Sequence, residues 1–192
     1  METIDEKKYT VEEYFSLVEE AEYKLEYYRG QVYAMAGAKP NHNLINVQLT
    51  KTLSLLLEDK DCYVFNSDQA LAIQDDSYFY PDAMVTCGPI ELDNNRTRVL
   101  NPILIVEILS KGTRGFDKDR KFDLYREIPS LQEYLLLDSE SIGFQSFFKE
   151  KGDLWRISSG YAIDQTIPLY SLDLEISLER IYRKILPFEG HQ

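Results

Sequence analysis

The chain has 192 residues, 44% of them hydrophobic and 12% aromatic, which is enough apolar surface for one packed core of domain size. Its 33 acidic residues against 21 basic ones leave a net charge of −12, which opposes attraction of the whole surface to a phosphate backbone, so any nucleic-acid role must rest on a local basic region. The acidic opening Met1-Glu2-Thr3-Ile4-Asp5-Glu6 lacks the apolar stretch of a secretory signal, and no apolar run approaches the ~20 residues of a membrane span, so the expectation is one cytoplasmic domain with flexible ends.

Thr10 and Glu13 have the spacing of a capping box, and Val11, Tyr14, Leu17 and Val18 repeat at helical intervals, which predicts a helix over 10–20. The runs 24–28 and 31–35, rich in Tyr and Val and joined through Arg29-Gly30, predict a tight hairpin. Leu44, Ile45, Val47, Leu49, Leu53, Leu56 and Leu57 predict a largely buried helix over 41–58. Strands are expected at 62–66, 70–73, 79–86 and 103–109, the last apolar without alternation, as a central strand buried on both faces should be. A turn-rich segment, 111–116, leads to a polar helix over 117–127 that Pro129 stops. Strand compositions at 133–137, 143–148 and 154–158 and a closing helix at 178–185 complete a mixed α/β order, with a central sheet flanked by helices. Cys62 and Cys87 have neither CxxC nor Cys/His zinc spacing and read as buried thiols.

One position stands out chemically. Glu107 lies inside the apolar run Ile103-Leu104-Ile105-Val106-Glu107-Ile108-Leu109, where an ionised carboxylate is costly unless it is paired. A bound cation is the natural compensation. Tyr80-Pro81-Asp82 supplies a second carboxylate in a strand-like run.

These residues carry a resemblance. Leu25-Glu26-Tyr27-Tyr28-Arg29-Gly30, His42, Ser67-Asp68, Pro81-Asp82, Val106-Glu107-Ile108-Leu109-Ser110, Lys121 and Glu133-Tyr134 resemble the restriction-endonuclease-like superfamily with its PD-(D/E)xK signature, and within it a large group of uncharacterised bacterial proteins. The resemblance implies a restriction-endonuclease-like mixed sheet flanked by helices and a metal-dependent endonuclease cutting phosphodiester bonds in DNA. It implies that Asp82 and Glu107, joined by Glu26, hold Mg²⁺ or Mn²⁺, which polarises the phosphodiester and activates water. The signature lysine, two residues after the Glu, is Leu109 here, and Leu can neither position water nor stabilise developing charge. In the resembled group the lysine stands on the following helix, a place that Lys121 occupies. Tyr125, four residues on, could orient its ammonium. Ser110 and His42 become possible substrate contacts, and cutting both strands of a duplex implies a homodimer.

The residues also admit plainer roles. Pro-Asp often marks a turn, Glu107 could bond a backbone N–H or an arginine, Glu26 could be an exposed hairpin residue, and His42 a cap. The run 111–126 carries Lys111, Arg114, Lys118, Arg120, Lys121 and Arg126 against three aspartates, which is both the basic stretch a nucleic acid needs and the pattern of a solvated helix face. Two rival functions therefore stay open: a catalytically silent binding module on the nuclease fold, and a hydrolase of RNA or a small nucleotide.

Overall fold

The computed structural model describes residues 3–35, 37–112, 114–152 and 154–188, apart from the side chains of Phe116, Lys118 and Asp119. The calls on Met1, Glu2, Lys118 and Asp119 therefore lie outside the described side chains.

Helix α1 (Val11–Glu20) starts at the predicted capping box: Thr10 accepts from the Glu13 N–H while Glu13 accepts from the Thr10 N–H. β1 (Leu25–Tyr28) and β2 (Gln31–Ala34) form the predicted hairpin, turned through Arg29 and Gly30 at φ 45° and 93°. Two successive left-handed residues match the twist of the strands, and glycine takes the second at no steric cost. β5 (Ser77–Phe79), β4 (Ala70–Ile73) and β7 (Arg98–Val99) extend this hairpin into a five-stranded sheet in the order β2-β1-β5-β4-β7.

The second sheet has six strands in the order β11-β10-β9-β8-β6-β3: β3 (Cys62–Asn66), β6 (Ala83–Cys87), β8 (Leu104–Leu109), β9 (Glu133–Asp138), β10 (Phe144–Lys149) and β11 (Trp155–Gly160). Only the central pair β8 and β9 runs parallel, so the sheet is mixed. All six residues of β8 are buried, as its unbroken apolar run predicts. One face of the sheet packs Val85, Val106, Ile108 and Leu135 against α2 (Pro40–Leu56), α5 (Leu178–Tyr182) and a ribbon of β12 (Thr166–Leu169) and β13 (Leu174–Ser177). The other face packs Met84, Ile105, Leu109 and Tyr134 against Leu71 and Phe79 of the first sheet and against α4 (Phe122–Tyr125). Helix α1 closes the far side of the first sheet through Tyr14, Tyr27 and Tyr78.

Four expectations need correction. The run 79–86 is not one strand: β5 belongs to the first sheet and β6 to the second, and Pro81-Asp82 makes the crossing, where a residue without a backbone N–H interrupts no ladder. α2 is amphipathic rather than largely buried, with Ile45, Leu49 and Leu53 inside and Val47 half exposed. The helical segment starts earlier and ends sooner than 117–127: α3 (Arg114–Phe116) falls in the expected turn, followed by a π-helical turn (Asp117–Lys121) and α4. Finally, Cys62 and Cys87 are not free thiols. They face each other in the β3–β6 register and are joined by a disulfide.

Candidate functional site

Alternation along β8 points Glu107 to the same face as Ile105 and Leu109, toward α4 and the first sheet. Ala83 pairs with Val106 in the antiparallel register of β6 and β8. Asp82, one residue earlier, therefore falls beside Glu107 on that face. The Ile108 N–H donates to Asp82 Oδ2 at 2.7 Å, and His42 Nε2 from the first turn of α2 lies 3.2 Å from the same oxygen. One turn along α2, Asn46 donates to the Asp82 carbonyl at 2.9 Å.

Glu26 reaches the site from β1. Its neighbours Leu25 and Tyr27 face α1, so strand alternation turns Glu26 inward, and it is 1% exposed. The Tyr80 N–H donates to its Oε1 at 3.0 Å. Lys121 enters from the opposite side. Its Nζ lies 2.9 Å from Glu107 Oε1, 3.6 Å from Glu26 Oε1 and 3.6 Å from Asp117 Oδ1. The Tyr125 hydroxyl donates to the same Glu107 oxygen at 2.7 Å. Tyr125 thus orients Lys121 through the carboxylate they share rather than by touching the ammonium.

Asp117 and Lys121 stand at the two ends of the π-helical turn, four residues apart and on one face. Each is at most 4% exposed.

Three buried carboxylates, Glu26, Glu107 and Asp117, surround one ammonium, and a fourth, Asp82, stands beside Glu107. Burial pushes the Glu107 and Glu26 pKa values up; Lys121 opposes the shift, and the other carboxylates of the cluster add to it. For Lys121 burial works against the charge, but Glu107, Glu26 and Asp117 outweigh it and hold the pKa well above the ordinary lysine value. Burial likewise raises the Tyr125 hydroxyl, and the Glu107 charge adds to the effect. His42 is raised despite its burial, by its bonds to Asp82 and to the backbone of Ile108.

The two strand carboxylates are committed on one side only. Asp82 Oδ2 and Glu107 Oε1 each take two partners, while Asp82 Oδ1 and Glu107 Oε2 accept no hydrogen bond among the described residues. Nor are they sealed away, since the one fully buried side-chain polar atom without a partner among the described residues is Thr86 Oγ1. An excess of negative charge with two open oxygens fits a hard divalent cation. No group of three or more His, Cys, Asp or Glu side chains forms a ready cage for one among the described residues.

The structure thus brings Glu26, His42, Asp82, Glu107, Lys121 and Tyr125 together, with Leu109 in the core at 3% exposure. Ser110 follows β8 directly and is half-buried. The basic stretch is divided: Lys121 is buried among carboxylates and Arg114 makes a two-pronged pair with Asp138, while Lys111, Arg120 and Arg126 are exposed, Arg126 beside Asp123. Asp117 and Asn46 went unrecognised in the sequence. Their signal was spacing, Asp117 four residues before Lys121 and Asn46 four after His42, but nothing marked either side chain as buried.

Known proteins share this architecture. Two uncharacterized proteins of Synechocystis sp. are 40% identical over 151 residues, covering 78% of this chain and 85% of the relative, and 37% identical over 178 residues, covering 92% of each. The crystal structure of "a putative nuclease belonging to DUF820" from Anabaena variabilis superposes with a TM-score of 0.75 at 16% identity, over 91% of this chain and 98% of that one, which shows a common fold. Residues 11–179 match the model of the Uma2 family, described as "Putative restriction endonuclease". The mixed sheet, its crossing at Pro81-Asp82 and that match over most of the length lead to one statement of kinship: this chain belongs to the Uma2 family, on the restriction-endonuclease-like fold.

Proposed function

We propose that this protein is a divalent-metal-dependent endonuclease that hydrolyses phosphodiester bonds in DNA. The observation that carries the reading is the pair of open oxygens, Asp82 Oδ1 and Glu107 Oε2, on carboxylates that the β6–β8 register sets side by side, with the Lys121 ammonium on the other oxygen of Glu107. When bound there, Mg²⁺ or Mn²⁺ neutralises phosphate charge and lowers the pKa of water. Asp82 and Glu107 hold the cation, and Glu26 adds negative charge behind them. Lys121, fixed by three carboxylates, keeps its proton and offers a positive N–H to charge developing on phosphorus, the role that Leu109 cannot fill. Tyr125 keeps Glu107 Oε1 turned toward Lys121, which leaves Oε2 open. Ser110, directly after β8, is the hydroxyl that this reading assigns to a phosphate oxygen.

A second reading rests on the same lysine. An ammonium gripped by three carboxylates can be purely structural, and the protein would then be a catalytically silent module. Calorimetric titration with Mg²⁺ or Mn²⁺, beside cleavage assays on plasmid, single-stranded DNA and RNA, separates the two. The nuclease reading expects metal-dependent DNA cleavage that Asp82→Ala and Glu107→Ala each abolish, with binding that weakens steeply with salt. Metal binding with cleavage of RNA alone moves the substrate to RNA. Neither metal binding nor DNA affinity leaves the silent module. Cutting both strands requires two sites facing a two-fold duplex, so the active species of this reading is a homodimer, which sedimentation on DNA would report.

A further inference from the structure

The mechanism above leaves His42 unused, although it is the only imidazole within reach of the site among the described residues and is closely constrained. Its side chain is 16% exposed and its Nε2 lies 3.2 Å from Asp82 Oδ2. Asn46, on the same face of α2, holds the Asp82 carbonyl at 2.9 Å, and the Ile108 N–H holds Oδ2 at 2.7 Å.

Asp82 needs this restraint because of where it stands. It follows Pro81 at the crossing between the two sheets and lies just outside the β6 ladder, so regular strand hydrogen bonding does not fix it. A carboxylate at a chain crossing can rotate about χ1 and χ2 and present either oxygen, or neither, to a cation. With Oδ2 engaged by both Ile108 N–H and His42, rotation would break a hydrogen bond and a close imidazole–carboxylate contact, and Oδ1 becomes the oxygen that stays open.

We propose that His42 is a positioning residue: from the first turn of α2 it locks the Asp82 carboxylate so that Oδ1 alone is presented for divalent-metal binding. This inference rests on the metal-site reading and assigns α2 a part in it. It also replaces direct substrate contact as the role of His42. Hydrogen-bonding partners of ligating carboxylates characteristically change metal affinity about 10–100-fold when they are removed.

The test is calorimetric titration of Mn²⁺ into wild type, His42→Ala and His42→Gln, with thermal unfolding of each in EDTA as the fold control. Glutamine keeps an N–H donor at about the position of the imidazole Nε2. The expected result is Mn²⁺ binding weakened about 10–100-fold in His42→Ala and largely restored in His42→Gln, with both unfolding midpoints close to wild type. Wild-type Mn²⁺ affinity in His42→Ala overturns the proposal while the metal site stands. Equal loss in both variants with intact folds also overturns it, because a donor at that position would then not suffice. Absence of Mn²⁺ binding by wild type overturns the metal-site reading itself, and the proposal with it. If His42→Ala fails to fold, His42→Gln decides: near-wild-type affinity supports the lock, and a loss matching that of Asp82→Ala overturns it.

Discussion

Lys121 Nζ stands 2.9 Å from Glu107 Oε1, and the two side chains, fourteen residues apart in the chain, are both almost wholly buried. No lysine on β8 could make the same approach from that direction, because β8 offers its inward position two residues on to the core residue Leu109. The pair joins the π-helical turn to the central strand, so the lysine carries structural as well as chemical weight. Lys121→Met is expected to abolish cleavage. It should also destabilise the metal-free protein by about 3–5 kcal/mol, since it leaves buried carboxylates without their counter-ion. Urea denaturation at pH 8 in EDTA measures the loss, and Mg²⁺ should recover part of it by replacing the missing positive charge.

The raised Glu26 and Glu107 carboxyls set the pH dependence of the metal-free protein. A carboxyl whose folded pKa lies above its unfolded value binds protons more readily when folded, so its stabilising contribution is complete below the unfolded pKa and is lost as pH rises through the folded one. Stability in EDTA should therefore fall from about pH 5 upward into the alkaline range. Glu26→Gln should flatten that fall, and a wild-type protein whose urea midpoint rises over the same interval would contradict the electrostatics of the site. Cation binding should release protons, which titrations in buffers of different ionisation enthalpy detect.

Asp117 offers a cleaner separation of metal binding from catalysis. It touches the lysine rather than the open oxygens, so Asp117→Asn should leave Mn²⁺ affinity nearly unchanged. A less closely held ammonium should lower the cleavage rate about tenfold or more, because small displacements of a charge-stabilising group are costly. Equal losses in affinity and rate would instead make Asp117 part of the metal site.

The Cys62–Cys87 disulfide closes a loop of 25 residues and ties the edge strand β3 to β6. Thiol titration should find no free cysteine before reduction and two after it. Reduction should cost about 3.5 kcal/mol in urea denaturation, the loop-closure value for such a span. Two titratable thiols in the untreated protein would remove this staple.

What the sequence determined by itself was everything governed by neighbours a few residues apart. Thr10 and Glu13 cap α1 because their side chains reach each other's backbone. Arg29-Gly30 turns a hairpin because glycine accepts positive φ, and 104–109 is a central strand because only burial on both faces accommodates so apolar a run. Glu107 stood out inside that run for the same reason. The tertiary structure decided what depends on pairing across the chain. Whether Pro81-Asp82 continues a strand or crosses between sheets is settled by which partners β5 and β6 find, and whether Cys62 meets Cys87 by the register of β3 on β6. Asp117 reads as one charge in an alternating run until the fold buries it against Lys121 beneath Glu107. Local patterns encode the free energy of a turn or a cap, whereas a buried charge cluster exists only once distant strands have brought their carboxylates to one face and left the surplus charge to be neutralised.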